Sequence, residues 1–170
     1  FGHIVCSKFS EKKIAVGYDG RLTSSLLHNA LCAGLLKSGA NVFSIGLCPT
    51  PMAYFAHYHL KTDAAVMVTG SHNPPEYNGF KMVLNKHSFF ADEIQNIQLL
   101  TTLKDISTGQ GKLNNIDINN EYVKNNLKNI KFNKKMKIAW DVANGSMGTV
   151  IDSFTKQLSN ADHIVINKEV

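Results

Sequence analysis

The chain has 170 residues, 44% hydrophobic and 18% charged, which is enough for a well-buried core and ordinary for a soluble globular protein. No apolar run reaches the roughly 20 residues that span a bilayer, so the reading assigns no membrane partner. The net charge is +5, yet all but one of the 18 basic residues are scattered lysines, whereas nucleic-acid binding favours clustered basic side chains with arginine.

In chain order, Phe1-Gly2-His3-Ile4-Val5-Cys6 has no basic leader, no cleavage site and no initiator Met, so the chain is expected to begin inside a longer protein. Ile14 to Tyr18 reads as a buried strand. Leu26, Leu27, Ala30, Leu31, Gly34 and Leu35 then fall at helical spacing, with Thr23, Ser24 or Ser25 as cap and Gly39 as terminator. Asn41 to Ile45 is the next strand. Thr50-Pro51 reads as an N-cap and first-turn proline opening a helix to about Leu60. Ala64 to Val68 is a third strand. Strand-helix-strand-helix-strand at these lengths predicts a parallel sheet.

Gly79 to Leu84 reads as a strand returning antiparallel, because the connection before it is too short for a crossover helix. Ala91 to Leu103 is expected to be helical. Asp105 to Asn119 is poor in apolar residues and rich in Gly and Asn, so a domain boundary is placed there. A helix over Glu121 to Ile130, a strand over Met136 to Trp140, a helix over Met147 to Leu158 and a strand over His163 to Ile166 start a second unit. The fold class is α/β: a three-layer α/β/α domain with a mixed, mostly parallel sheet, followed by the start of a second similar domain. Cys6, Cys32 and Cys48 are odd in number and form no CxxC pair, so they read as reduced core thiols, pointing to a cytoplasmic setting.

The chemistry gathers after the third strand, in Thr69-Gly70-Ser71-His72-Asn73-Pro74-Pro75-Glu76-Tyr77-Asn78-Gly79-Phe80-Lys81. Open α/β sheets place their sites at the carboxyl ends of strands. Ser71 is the candidate nucleophile or phosphate carrier. Adjacent Ser71 and His72 make a poor hydrolase pair, and no Gly-x-Ser-x-Gly elbow is present. A phosphate carrier needs an exposed hydroxyl, backbone N–H groups and cations around it. Lys81, on a strand running back beside the loop, is either a proton acceptor or a surface lysine; His72 is either a proton-transfer group or a turn-shaping donor. Arg21, the single arginine, sits between a strand end and a helix start. That place suits anion binding, with pairing to Asp19 as the alternative. Asn78 and Tyr77 are read as holding the loop. His57 and His59 face different ways on a helix and are not read as metal ligands. Asp141 and Asn144-Gly145 end a strand before a helix and read as a plain strand-to-helix turn, with a second phosphate-adjacent turn as the alternative.

The loop closely resembles the phosphoserine loop of the α-D-phosphohexomutases, the phosphomannomutase/phosphoglucomutase family. Val16-Gly17-Tyr18-Asp19-Gly20-Arg21-Leu22-Thr23-Ser24-Ser25 and Ile45-Gly46-Leu47-Cys48-Pro49-Thr50-Pro51 match it in order and spacing, with a weaker match at Trp140-Asp141-Val142-Ala143-Asn144-Gly145. The resemblance implies that residues 1–118 are the family's first domain, lacking its first strand, and that 119–170 begin its second. It implies interconversion of hexose 6-phosphate and hexose 1-phosphate (mannose, glucose or both) through a phosphoserine at Ser71 and a hexose 1,6-bisphosphate. It further implies catalytic roles for Ser71, His72 and Lys81, phosphate or substrate binding by Arg21, Asn73 and Asn78, and Mg²⁺ on the Ser71 phosphate. The family's Asp-Gly-Asp-Gly-Asp-Arg metal loop, its Gly-Glu-x-Ser sugar loop and its Arg-x-Ser-Gly-Thr phosphate loop are not in these residues. The expectation is therefore an N-terminal piece, inactive alone. The alternatives are a non-catalytic phosphosugar-binding or regulatory module and a phosphoglucosamine mutase.

Overall fold

Val66, Met67 and Val68, with Ala64 and Ala65, form a strand buried on both faces, as an apolar run between two helical layers must be. A computed structural model describes residues 1–102 and 106–170. The elements are α1 (Gly2–Lys8), β1 (Lys13–Tyr18), α2 (Ser24–Lys37), β2 (Asn41–Leu47), α3 (Thr50–His59), β3 (Ala64–Val68), β4 (Phe80–Leu84), β5 (His87–Phe89) and α4 (Asp92–Leu100). They continue with β6 (Leu113–Asn115), α5 (Asn119–Leu127), β7 (Met136–Asp141), a 3-10 turn (Ser146–Thr149), α6 (Ile151–Gln157) and β8 (Ala161–Ile166). The expected helix end at Leu103 falls outside the described residues. No helix among those described is long and apolar enough to cross a membrane.

Six strands form one sheet in the order β5-β4-β3-β1-β2-β6. The pairs β3–β1, β1–β2 and β2–β6 are parallel, and β4 and β5 join antiparallel. The mixed, mostly parallel sheet follows the expected class. Alternation along the strands divides the core into two layers. Ala15, Ala65 and Met67 pack with Met52, Ala53 and Ala56 of α3. Ile14, Val16 and Val66 pack on the other side with Val5 of α1 and with Cys32 and Leu35 of α2.

Three features of the fold depart from or add to the expectation. First, the stretch after Asp105, where a domain boundary is expected, also holds a strand. Leu113–Asn115 pairs with Val42–Ser44 as the sheet's edge strand. Main-chain pairing at an edge needs no apolar side chains. Lys112 N–H reaches the Asn41 amide oxygen at 3.1 Å, and Asn114 Nδ2 reaches the Val42 carbonyl at 3.3 Å. Gly111 lies so close to Ala40 that a side chain there would overlap the Ala40 carbonyl. Second, the apolar stripe of α2 is only in part its buried face. Leu26 is 70% exposed, while Ser24, His28, Cys32 and Leu35 are buried. His28 turns inward to bond Ser44 Oγ at 3.0 Å and to pack its ring against Tyr18. Third, β5 is an additional strand for which the sequence carries no signal. Asn85 and Lys86 both take positive φ (48° and 68°), the conformation of a two-residue hairpin turn, without the Asn-Gly pair that usually announces one.

β7 and β8 pair in a separate two-stranded parallel sheet. The core does not divide with the sheets. Ile118, Tyr122, Val150, Ile151 and Phe154 lie in the same buried cluster as Ala65 and Met67. The helix expected over Met147 to Leu158 opens as the 3-10 turn and continues as α6 from Ile151. This shared core sets the turn after β7 against the first sheet's carboxyl edge.

Candidate active site

Parallel neighbours β1 and β3 end side by side, and the chain leaves both at the same edge. Asp19 N–H donates to the Val68 carbonyl at 3.0 Å, joining the two exits. After β3, Thr69 N–H bonds the Gly79 carbonyl at 2.9 Å and closes the base of a loop. Ser71 stands at its start with φ of 56°, a left-handed conformation that costs a residue with a Cβ about 1–2 kcal/mol. Its N–H is held by Thr69 Oγ1 at 2.9 Å. Strain of this kind persists where surrounding contacts over-determine it, and it gathers at functional sites.

Ser71 Oγ is exposed and meets two titratable side chains. Lys81, on β4, donates from Nζ at 3.1 Å, and His72 Nδ1 lies at 3.4 Å. β4 runs antiparallel to β3, pairing Lys81 with Met67, so the lysine returns to the end of the strand from which Ser71 departs. The two residues expected to work together are brought together.

Arg21 is placed differently from the expectation. Its guanidinium is under the loop, with its side chain only 16% exposed. Nη1 donates to the carbonyls of Pro74 (2.6 Å) and Tyr77 (2.9 Å). Nη2 donates to those of Ser71 (3.0 Å) and Asn73 (2.7 Å). Nε faces Asp19 Oδ2 at 3.4 Å. Four guanidinium hydrogen bonds thus go to loop carbonyls, and the fifth N–H faces the Asp19 carboxylate. Asn78 also bonds within the protein: its Nδ2 donates to Thr23 Oγ1 (3.0 Å) and Ser24 Oγ (2.8 Å), and its Oδ1 accepts from Gly79 N–H (2.8 Å). Asn73 lends its backbone to Arg21, and its side chain lines the cleft.

The cleft above Ser71 has a volume of about 720 Å³. Asp19, Arg21, Thr50, Thr69, His72 and Lys81 line one side, and Ala143 to Ser146 face them. Of the two sequence readings of that second turn, plain connection or phosphate-adjacent turn, its place on the cleft is compatible with the second. Asp141 caps it, accepting from Asn167 Nδ2 and Ala143 N–H, each at 2.9 Å, and these bonds, the one from Asn167 first, lower its carboxyl's pKa. Thr50 opens α3 and also lines the cleft, and its place in the Pro49-Thr50-Pro51 connection is the one sequence signal for it. Among the described residues no three His, Cys, Asp or Glu side chains converge to hold a metal ion, so these residues alone do not fit a bound Mg²⁺.

An exposed serine at positive φ, a lysine on its oxygen and a polar cleft thus lie together at the carboxyl edge of a mixed α/β sheet. Residues 1–105 match the model of phosphoglucomutase/phosphomannomutase, alpha/beta/alpha domain I, and the chain belongs to that family. It is 39% identical over 87% of its length to a phosphomannomutase/phosphoglucomutase of Pseudomonas putida, and 39% identical over 94% to a phosphoglucomutase of Neisseria meningitidis. It spans about a third of each of those relatives, 32% and 36%. A phosphoglucomutase/phosphomannomutase family protein of Burkholderia thailandensis superposes on 99% of the chain with a TM-score of 0.88 at 32% identity, the match covering 38% of that protein.

Proposed function

We propose that Ser71 carries the transferred phosphoryl group of a phosphohexomutase reaction, this chain supplying the carrier to domains like those that fill the rest of its relatives. The observation that carries the reading is Ser71 Oγ, held exposed by a left-handed backbone, with Lys81 Nζ 3.1 Å away at the mouth of the cleft. Transfer to a hexose monophosphate breaks the Ser71 Oγ–P bond and forms a bond from phosphorus to the sugar oxygen. The sugar hydroxyl loses its proton and Oγ regains one, which makes the serine a covalent carrier. Lys81 and His72 are the titratable groups within reach of Oγ, so the proton movements and the balance of phosphoryl charge fall to them. Return of the other phosphate of the resulting 1,6-bisphosphate to Ser71 completes the exchange. Mg²⁺ belongs to the proposal through the family alone, with no ligand beyond Ser71 among the described residues.

The test is peptide mapping of the full-length protein after incubation with a hexose 1,6-bisphosphate. The added phosphate is expected on Ser71. Phosphate on another residue, or an active Ser71→Ala protein, would overturn the reading. Turnover of mannose, glucose and glucosamine phosphates by the same protein assigns the sugar.

A further inference from the structure

Resting on that reading, we infer that Arg21 is the positioning residue of the transfer site: an internal cation that sets the geometry of Ser71 and never touches substrate. The four carbonyls of Ser71, Asn73, Pro74 and Tyr77 turn inward and converge on one guanidinium. Carbonyl oxygens gathered in this way repel one another unless a cation sits among them. A guanidinium suits the place because its planar fork presents paired donors at fixed angles, which an ammonium cannot.

The consequence reaches Ser71 through its own backbone. Its carbonyl is drawn down to Arg21 Nη2 at 3.0 Å, while its N–H is held by Thr69 Oγ1 at 2.9 Å. Fixing both peptide groups holds φ at 56° and leaves Oγ pointing outward to Lys81. Released from Arg21, Ser71 relaxes toward negative φ and carries Oγ away from Lys81.

Arg21 is itself anchored. Asp19 Oδ2 faces Nε at 3.4 Å, and Asp19 Oδ1 accepts from Arg21 N–H (3.1 Å) and Ser24 Oγ (2.5 Å). Ser24 Oγ accepts from Asn78 Nδ2 at 2.8 Å, and Asn78 Oδ1 takes the Gly79 N–H. The turn after β1 therefore grips the loop at its centre through Arg21 and at its far end through Asn78. Gly70 completes the fit. A Cβ there would meet Arg21 Cζ and the Tyr77 carbonyl, each at 2.5 Å, so only glycine lets the guanidinium lie beneath the loop.

The experiment uses the full-length protein with Arg21→Ala and Arg21→Lys, measuring kcat, KM and rescue by added methylguanidinium. A displacement of about 1 Å at a reacting group costs about 100-fold in rate, so Arg21→Ala is expected to lose kcat by about that factor. KM should change less than about threefold, because ground-state binding is untouched. Methylguanidinium should restore part of kcat and methylammonium should not. Arg21→Lys should stay close to Arg21→Ala. If Arg21→Ala does not fold, Arg21→Lys, which keeps the charge and the aliphatic stem, is judged by the same split between kcat and KM. A KM raised about tenfold with kcat preserved would make Arg21 a substrate ligand and overturn the inference. Near-normal turnover of Arg21→Lys, or a folded Arg21→Ala that methylguanidinium does not rescue, would also overturn it. Ser71→Ala, run alongside, separates the two claims: activity in that variant sinks the carrier reading, whereas the Arg21 outcomes bear on positioning.

Discussion

Gly70→Ala probes the loop at its most crowded point. The new methyl would lie 2.5 Å from both Arg21 Cζ and the Tyr77 carbonyl oxygen. Gly70 is not among the positive-φ residues, so the cost is contact and not backbone conformation. One neighbour is main chain and cannot swing aside. The other is a guanidinium whose Nη–O distances are 2.6 to 3.0 Å, and a retreat of about an ångström stretches several of its bonds past the useful range. Overpacking costs roughly 1–3 kcal/mol. Losing two of the four bonds adds about 1 kcal/mol each, after allowance for their exposure to solvent. The sum is about 3–5 kcal/mol. For a chain of this size each kcal/mol lowers Tm by about 2–4 °C, so thermal unfolding followed by circular dichroism should show a drop of about 6–20 °C. Phosphorylation of Ser71 should slow in the same variant. A Gly70→Ala protein that melts with the wild type would show that the loop is not packed on Arg21.

Lys81→Met should cut kcat by about 100-fold or more, with slow phosphorylation of Ser71 retained. Lys81→Arg should be nearly as damaged if Lys81 moves a proton, and close to full kcat in that variant would make it an electrostatic anchor. Ser71→Gly should be more stable than Ser71→Ala by about 1 kcal/mol, because glycine accepts positive φ freely; equal Tm values would refute the strain. His57 is buried, its Nε2 accepting from Lys86 N–H at 3.2 Å and its Nδ1 3.0 Å from Thr62 Oγ1. Burial lowers its pKa, as does nearby Lys86, and burial also lowers that of His28. Below the ordinary value of 6.5 the unfolded chain takes up protons that these folded imidazoles refuse, so stability is full above that pH and falls as pH drops toward the folded values. The slope is at most about 1.4 kcal/mol per pH unit for each histidine. Tm measured from pH 8 to pH 5 should fall with a shallower slope in His57→Gln, and an unchanged slope would exclude His57 as a source.

Residues 13–68 were legible because their signals are local. Ile14 to Val16 and Ala64 to Val68 are apolar throughout, as strands covered on both faces must be, and the helices between them carry their own breakers at Gly39 and Pro51. The Gly70–Lys81 run was legible as a site for a related reason: a strand end, a hydroxyl, turn formers and a lysine on a returning strand are all placed by short-range spacing. Other features depend on partners distant in sequence. Nothing near Leu26 or His28 indicates which of them faces the sheet; Ser44 and Tyr18 decide that by offering His28 a bond and a ring. Leu113–Asn115 has no apolar pattern of its own and becomes a strand because β2 has a free edge. For the Ala143–Ser146 turn the sequence leaves a plain connection and a phosphate-adjacent turn open, and the shared core of α5 and α6 carries it to the cleft. Arg21 shows the limit most directly. Residue type and position identified it as a residue that matters, but a guanidinium can bond an external anion or its own backbone equally well. Only the tertiary approach of a loop 50 residues away, turning four carbonyls toward it, decided between them.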